Sequence, residues 1–455
     1  MRYVSTRGRA PTRDFEEVLL EGLAPDGGLY VPELWPQLGE IRPGAPYHEV
    51  VTAVMEPLVA GSPLDDSLAD LVRGAYESFR HPEVAPLRRV GEDVWLLELF
   101  WGPTLSFKDY ALQVLGRMLD VALGRRGRRA LVVGATSGDT GSAAMEALRD
   151  REAVDVVILF PHGRVSEVQR RQMTTVGAPN VHAVAVDGTF DDCQDLVKAC
   201  FGDPTVRDEL SLAAVNSINW ARIAAQAGYH VWTAEQVPDR PVVSIPTGNF
   251  GNVLSAHVAK AMGAPIGRLV VANNANHGLH RLVVDGRLPI SPVAPTLAPA
   301  MDIQVPSNLE RYLFEILDRS GSSTARTMAG YREQGGFVLD EIRHHRMTED
   351  FGAGWAGDAE IEQVIGEVSE RWGITLDPHT AVAWKVGVEH RIPGRPLVVV
   401  ATAHPAKFPE AVAEATGEAP RLPPGFGHLW SRDERFERIP ADRDTLVDLL
   451  RSVAG

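Results

Sequence analysis

A lysine stands at the predicted start of a helix, in the segment 102–109, which reads Gly-Pro-Thr-Leu-Ser-Phe-Lys-Asp. Ser106 and Asp109 have the spacing of a capping box, and apolar residues recur behind them with helical period, which predicts a helix over 106–123. The positive end of the helix dipole disfavours an ammonium in the first turn, typically by ~0.3–1 kcal/mol. Lys108 would then hold more of the neutral amine that forms a Schiff base. Taken alone, the pattern also suits a solvated surface lysine.

A second segment has the residue types of a phosphate-binding loop. Residues 247–252, Thr-Gly-Asn-Phe-Gly-Asn, follow an apolar run at 241–246 and precede a helical pattern at 253–262. Backbone N–H groups in such a loop can converge on an oxyanion at a helix N-terminus. The loop lacks the lysine of a nucleoside triphosphate loop and the third glycine of a dinucleotide fingerprint. A single phosphate monoester is therefore the predicted ligand, although two glycines also occur in ordinary turns.

Two further strand ends carry hydroxyl groups. The first is a loop after the strand at 130–134, and its residues are Thr136, Ser137, Gly138, Asp139 and Thr140. The polar side chains of this loop could surround a carboxylate. Asp139 could also cap a helix over 139–149. The second is the end of the strand at 396–401, which delivers Thr402 and His404 to the sheet edge where open α/β sheets bind ligands. An ordinary capped helix and a simple turn remain the alternatives for these two sites.

The segments together resemble the threonine synthase family, in the branch shared by enterobacteria and yeast. Four segments carry the core of the resemblance: 98–109, 135–141, 246–251 and 402–408. Residues 3–8 and 21–32 resemble the amino-terminal signature of that branch. Shorter blocks follow in the same order, at 216–219, 301–303, 306–308 and 377–382. The likeness therefore spans almost the whole chain.

The resemblance implies an α/β enzyme of fold type II that depends on pyridoxal 5′-phosphate. It implies two three-layer domains built on parallel sheets, of the tryptophan synthase β-like class, with an N-terminal extension. Lys108 would hold the cofactor covalently and move protons, and Thr402 would meet the pyridine nitrogen. The cofactor phosphate would lie on the loop formed by Gly248, Asn249, Phe250, Gly251 and Asn252. The substrate carboxylate would lie on residues 136–140.

A phosphorylated substrate needs a second anion site. Arg164 and Ser166 are the candidates, because they follow the strand at 154–160 and pair a guanidinium with a hydroxyl. The implied reaction is the conversion of O-phospho-L-homoserine and water into L-threonine and phosphate, by γ-elimination and then β-addition. Two alternatives stay open: another enzyme of this cofactor class with a different substrate or nucleophile, and a nonenzymatic protein that only binds a phosphorylated amino acid.

The chain departs from the family pattern at two positions near these segments. Trp101 stands where family members usually have histidine, and His277 stands where they usually have aspartate. Each change alters the capacity for proton transfer or the charge next to a predicted site. The departures indicate either drift or a changed substrate or nucleophile.

Composition limits the partners. The chain has 455 residues, 44% of them apolar, with a net charge of −15 and a pI near 5.4, which argues against nucleic acid and anionic membranes as partners. No apolar run approaches the ~18 residues of a membrane span, and the first residues lack a signal-peptide core. Cys193 and Cys200, seven apart on one predicted helix, suit a reduced compartment better than a disulfide or a metal site. We expect a cytoplasmic monomer or homodimer that binds a small phosphorylated amino acid.

The pattern of elements predicts three regions. Residues 1–90 form an N-terminal segment of helices and proline-rich turns. Residues 91–235 form an αβ domain with the lysine and the carboxylate loop, with strands at 130–134, 154–160 and 181–186 and a helix at 190–201. Residues 236–455 form an αβ domain with the phosphate loop, strands at 242–246, 268–272 and 396–401, and an insertion near 319–357.

Overall fold

The protein is described by a computed structural model that covers residues 1–214 and 216–454. Its contacts divide the chain into two compact units. The larger unit contains Met1–Trp101 and Ser217–Pro420, and the smaller unit contains Gly102–Asn216 and Arg421–Gly455. Residue 455, the end of the third predicted region, lies outside the described residues. The two compact units group the chain differently from the three predicted regions. The domain boundaries at residues 90 and 235 stay a prediction.

Within the described residues, the strands form four sheets. They are β1 (Tyr3–Ser5), β2 (Tyr30–Pro32), β3 (Leu87–Arg89), β4 (Val94–Glu98), β5 (Ala130–Ala135), β6 (Val154–Pro161), β7 (Val181–Asp187), β8 (Leu212–Ala213), β9 (Val242–Pro246), β10 (Leu269–Asn273), β11 (Arg287–Pro289), β12 (Gly336–Val338), β13 (Phe351–Trp355), β14 (Leu397–Ala401) and β15 (Glu437–Pro440). The strand orders are β1-β2, β13-β10-β9-β14-β4-β3, β11-β12 and β15-β7-β6-β5-β8.

The helices occupy most of the remaining chain. They are α1 (Phe15–Glu21), α2 (Tyr47–Val59), α3 (Leu68–Tyr76), α4 (Lys108–Arg125), α5 (Asp139–Leu148), α6 (Glu167–Thr174), α7 (Phe190–Gly202), α8 (Pro204–Glu209), α9 (Trp220–Gln236), α10 (Gly251–Ala261), α11 (Gly278–Asp285), α12 (Leu309–Ile316), α13 (Gly321–Gln334), α14 (Glu341–Asp350), α15 (Asp358–Trp372), α16 (Pro378–Glu389), α17 (Pro409–Thr416), α18 (His428–Ser431) and α19 (Arg443–Ala454). Short 3-10 turns occur at Asp65–Ser67, Pro299–Met301 and Pro405–Lys407.

The larger unit is built on the six-stranded sheet. Its strands are parallel except β3, which runs antiparallel to β4. Successive side chains of a strand point to opposite faces. Val242 and Val399 therefore pack on one face, in a cluster with Ile361 and Val382 of α15 and α16. The buried Ile245 points to the other face, against which α10 packs. Helices on both faces make this unit three-layered.

The smaller unit repeats this plan with a five-stranded parallel sheet. Val157 and Val184 share a cluster with α7 and α19. Cys193 and Cys200 lie in that cluster on the same face of α7, and both are free thiols. Two parallel sheets with helices between the strands confirm the predicted fold class.

The segment 319–357 contains regular structure. It holds α13, β12 and α14, and it ends with β13, which pairs in parallel with β10 at the edge of the large sheet. Part of this segment therefore belongs to the sheet. Across the described residues, the structure has no helix that is both long and apolar enough to cross a membrane.

Candidate active site

Lys108 lies at a helix start, as predicted, but the predicted capping box does not cap this helix. Helix α4 begins at Lys108 with Phe107 as its N-cap, and Ser106 Oγ accepts the N–H of Lys108 at 3.2 Å. The carboxylate of Asp109 accepts hydrogen bonds from the N–H and the hydroxyl of Thr104 at 2.8 and 2.7 Å. The predicted capping box is wrong because this carboxylate binds the preceding turn.

The amine of Lys108 is buried next to a carboxylate. The residue is 8% exposed, and its Nζ lies 3.4 Å from Asp139 Oδ2 and 4.9 Å from the centre of the Phe107 ring. A carboxylate at this distance stabilises an ammonium, which opposes the effect of the helix start. The local sequence around Lys108 gives no sign of this neighbour, which lies 31 residues further along the chain.

The predicted carboxylate loop is braced by its own threonine. Thr136 Oγ1 accepts the N–H groups of Gly138 at 3.0 Å and Gly141 at 2.8 Å. Gly138, with φ 136°, is the N-cap of α5, so the prediction of Asp139 as the cap is wrong. Only glycine readily takes that φ. Asp139 is instead the first helical residue of α5, and its side chain lies beside Lys108.

The remaining hydroxyls of the loop are more accessible. Ser137 is exposed and Thr140 is half-buried, whereas Thr136 is buried. Ser137 and Thr140 are therefore the more accessible hydroxyls, and Thr136, which accepts two hydrogen bonds, keeps its own O–H as a donor.

Sequence reasoning missed Gln169. Its Nε2 donates to Asp139 Oδ1 at 2.9 Å and fixes the carboxylate beside Lys108. Its backbone N–H donates to Ser166 Oγ at 3.3 Å, and its Oε1 accepts from the N–H of Ser166 at 3.4 Å. This is a capping box at the start of α6, and the spacing Ser-x-x-Gln was the signal that could have found it. Arg164 is exposed, and its pairing with Ser166 as a phosphate site stays a prediction.

The phosphate loop differs in its hydrogen bonds. After β9, Thr247 donates its hydroxyl to Ile245 O at 2.7 Å, and α10 begins at Gly251. Its N-cap is Phe250, whose φ of 63° is left-handed and rare for a bulky side chain. Among the described residues, none accepts a hydrogen bond from the backbone N–H groups of 248–252. Five consecutive donors at a helix N-terminus are therefore left for a ligand.

The packing around this loop fits a phosphate. A Cβ at Gly248 would lie 2.7 Å from Ala300 O, so only glycine fits there. Asn252 Oδ1 accepts from Tyr229 at 2.9 Å, while Asn252 Nδ2 is fully enclosed without a partner in the described chain. Buried donors without acceptors are rare in proteins, and a bound ligand is one way in which they are satisfied. An anion with several oxygens, such as a phosphate monoester, suits these donors.

Thr402 lies at the same edge of the large sheet as the phosphate loop. It follows β14, which pairs with β9, and it is 4% exposed. No described residue shares a hydrogen bond with its hydroxyl. His404 accepts the N–H of Ala406 at 3.2 Å, and burial lowers the pKa of His404 to about 4, so this imidazole is neutral at pH 7.

The two positions that depart from the family pattern have partners of their own. Trp101 Nε1 donates to Glu98 Oε2 at 2.9 Å, and burial raises the pKa of Glu98. His277 stacks on Trp355 with ring centres 4.6 Å apart and contacts Ala275 O through Nδ1 at 2.8 Å. Both side chains thus have structural roles in the larger unit.

Comparison with known proteins gives the family. Residues 2–76 match the family "Threonine synthase N terminus", 79–335 match "Pyridoxal-phosphate dependent enzyme", and 380–449 match "Threonine synthase, C-terminal". The threonine synthase of Pseudomonas aeruginosa is 47% identical over 97% of this chain and 96% of its own. The chain belongs to the threonine synthase family.

Solved threonine synthases agree over the full length. The PLP-bound threonine synthase from Brucella melitensis is 45% identical, with a TM-score of 0.97 over 100% of this chain and 99% of that one. The yeast threonine synthase is 36% identical, with a TM-score of 0.93 over 99% and 97%. The likeness includes both compact units and every segment that carries a candidate site residue.

Proposed function

We propose that this chain converts O-phospho-L-homoserine and water into L-threonine and phosphate with pyridoxal phosphate. Membership of the threonine synthase family over the whole chain supports this function. The observation that carries it is chemical: a buried lysine lies beside a carboxylate at 3.4 Å, and a second loop offers donors for a phosphate. A protein that only bound a phosphorylated amino acid would need neither the lysine nor this pairing.

When bound, pyridoxal phosphate withdraws electrons from an amino acid and so allows negative charge to develop at Cα and then at Cβ. Lys108 would hold this cofactor and move protons at those two carbons. Asp139, fixed by Gln169, would stabilise the lysine amine when it carries a proton.

The other residues would bind and orient the reactants. The N–H groups of 248–252 would hold the cofactor phosphate, and Thr402 would face the pyridine nitrogen as a neutral hydroxyl. The hydroxyls of Thr136, Ser137 and Thr140, with the loop backbone, would receive the substrate carboxylate. Arg164 and Ser166 stay the candidates for the substrate phosphate, with Ser166 shared between that role and the cap of α6.

The alternative is a relative that keeps the cofactor chemistry and uses a different substrate or nucleophile. The identities to threonine synthases do not favour it. We also propose that the protein is cytoplasmic and is a monomer or a homodimer.

Three experiments test the proposal. Borohydride reduction of the purified protein followed by peptide mapping should place the cofactor label on Lys108, and label elsewhere would contradict the assignment. Product analysis with O-phospho-L-homoserine should show threonine and phosphate in equal amounts. The variant Trp101→His should gain no activity on this substrate. A large gain, together with a poor wild-type rate, would favour the changed-substrate alternative.

A further inference from the structure

The carbonyl side of the phosphate loop is held by Asn308, a completely buried residue at the start of α12. Its backbone N–H donates to Asn249 O at 3.1 Å, and a Cβ at Gly251 would lie 3.3 Å from its Nδ2. In a trans peptide the carbonyl and the N–H point to opposite sides of the chain. The bond to Asn249 O therefore directs the N–H of Phe250 away from Asn308, where the described chain offers this N–H no acceptor.

The conformation of Phe250 needs such a restraint. Its φ of 63° is left-handed, which costs free energy for a residue with a bulky side chain. Strained conformations of this kind persist where the surrounding structure fixes them. The ring of Phe250 packs against Tyr312 and Phe351, with ring centres 6.1 and 5.6 Å away, and Asn308 fixes the preceding peptide. Two residues of the α12 region, Asn308 and Tyr312, therefore help to set the backbone of the phosphate loop.

Asn308 is itself fixed by Arg311 in the first turn of α12. Arg311 is 1% exposed, and its Nη1 donates to Asn308 Oδ1 at 2.6 Å. Its Nε donates to Tyr30 O at 2.9 Å, and its Nη2 donates to Ile218 O at 2.6 Å. The planar guanidinium thus joins strand β2, the segment before α9 and the residue that holds the phosphate loop. A lysine, with a single nitrogen, cannot reproduce these three bonds in one plane.

The charge of Arg311 is costly for folding. In the described chain no carboxylate lies within ion-pairing distance of its guanidinium, and the neighbouring Glu310 pairs with Arg7 instead, at 3.0 Å. Burial lowers the pKa of Arg311 to about 9, so the group is still charged at pH 7. Buried charged groups contribute little to stability, and apolar residues of similar volume often replace them without loss. This arginine is therefore better explained by the geometry that it imposes on Asn308 than by stability.

We propose that Arg311 is a positioning residue for the cofactor phosphate: through Asn308 it orients the peptide between Asn249 and Phe250, so that the N–H of Phe250 faces the phosphate. Arg311 acts through Asn308 and does not itself bind the phosphate. This inference rests on the proposed use of pyridoxal phosphate. Because Arg311 also binds Tyr30 O, it makes the N-terminal segment part of the support of the cofactor site.

The test compares two forms of the cofactor in three proteins. Apoprotein of the wild type, of Arg311→Lys and of Arg7→Lys is titrated with pyridoxal phosphate and with pyridoxal, which lacks the phosphate, and binding is followed by absorbance. We expect Arg311→Lys to weaken binding of pyridoxal phosphate roughly tenfold, because one N–H no longer points at the phosphate, and to leave pyridoxal unchanged. Equal losses for both ligands, or no loss for either, would overturn the assignment.

Arg7→Lys is the matched control. Arg7 donates to Glu310 from Nε and Nη2, both at 3.0 Å, and so ties the same N-terminal segment to α12, but it donates no hydrogen bond to Asn308. The variant loses the planar guanidinium and keeps the charge, as Arg311→Lys does. It should lower the unfolding temperature and keep the wild-type preference for pyridoxal phosphate over pyridoxal. If both variants lose this preference in proportion to their loss of unfolding temperature, the role of Arg311 is purely structural and the proposal is overturned.

A second pair of variants tests the connection through Asn308. Asn308→Ala keeps the backbone N–H but removes the oxygen that binds Arg311, so it should cause the same selective loss for pyridoxal phosphate. The double variant should lose little more than either single variant, because both changes remove the same support. Additive losses would show that Arg311 acts by another route and would contradict the proposal. If Arg311→Lys does not fold, the presence or absence of the selective loss in Asn308→Ala decides the question.

Further outcomes separate this inference from the proposed function. If wild-type apoprotein binds no pyridoxal phosphate, the proposed function fails first, and the inference falls with it. If the wild type prefers pyridoxal phosphate over pyridoxal and Arg311→Lys keeps the full preference, the inference alone is wrong and the proposed function stands.

Discussion

The carboxylate loop (136–140) and the phosphate loop (247–252) occupy the same kind of position in the chain but differ in their internal hydrogen bonds. Each follows a parallel strand and leads into a helix, β5 into α5 and β9 into α10. In the carboxylate loop, Thr136 accepts two backbone N–H groups, and Gln169 holds Asp139. In the phosphate loop, no described residue accepts a bond from the N–H groups of 248–252. The carboxylate loop is braced by its own side chains, whereas the described chain leaves the backbone donors of the phosphate loop without an acceptor.

We propose that this difference suits the two loops to different roles. A loop that is fixed before substrate arrives can hold Asp139 and Lys108 in one geometry through the reaction. A loop with unused donors binds an anion strongly and gains order from it. The variants below test the contrast, starting with the largest expected effect.

Removing the two hydrogen bonds that Thr136 accepts in the carboxylate loop should cause the largest loss of stability. Thr136→Val keeps the shape of the side chain but leaves two N–H groups without an acceptor, at about 1–3 kcal/mol each. We expect the free energy of unfolding to fall by roughly 2–4 kcal/mol in urea. The matched control is Thr247→Val in the other loop, where the hydroxyl only donates to Ile245 O, and about 1 kcal/mol should be lost. Equal losses would contradict the contrast.

Acid should destabilise the protein through His230, which contacts Asn252 of the phosphate loop. Burial lowers the pKa of His230 to about 4, against the opposing effect of bonds to Asn252. Between pH 6.5 and 4 the unfolded chain binds a proton that the folded chain does not, so stability is full above pH 6.5 and is lost as the pH falls. For this one group the loss between pH 7 and 5 is about 2 kcal/mol. Urea unfolding at both pH values checks this, and His230→Gln should remove that share of the pH dependence.

The contact between Gln169 and Asp139 should matter for catalysis more than for folding. Gln169→Leu removes the donor that fixes Asp139, and we expect kcat/KM to fall about tenfold with cofactor affinity unchanged. Ser166→Ala is the control, because it weakens the cap of α6, at about 1 kcal/mol of stability, and leaves the amide on Asp139. A rise in KM for Ser166→Ala would instead support Ser166 as a ligand of the substrate phosphate.

The sequence predicted elements better than contacts. Strand β9 has the predicted bounds, and α7 differs from its prediction by one residue, because hydrophobic periodicity is a local signal. The capping prediction at Ser106 and Asp109 failed because Thr104, a residue outside the motif, competes for the carboxylate. The bond from Gln169 to Asp139 joins different helices, so spacing along the chain could not reveal it. A cap pattern therefore locates a helix start, but tertiary contacts decide where its side chains bind.

Thr402 should have the smallest effect on binding. Its hydroxyl is buried at the edge of the sheet that carries the phosphate loop, and no described residue bonds to it. Thr402→Ala should therefore cost only the roughly 0.5–1.5 kcal/mol of one neutral hydrogen bond, which corresponds to a loss of about twofold to tenfold in cofactor affinity. Turnover should fall further, because this hydroxyl would face the pyridine nitrogen and influence how readily the ring withdraws electrons. Thr402→Ser, which keeps the hydroxyl, should restore most of the rate. An unchanged rate in Thr402→Ala would show that the pyridine nitrogen lies elsewhere, and the binding of the cofactor would then depend on Lys108 and the phosphate loop.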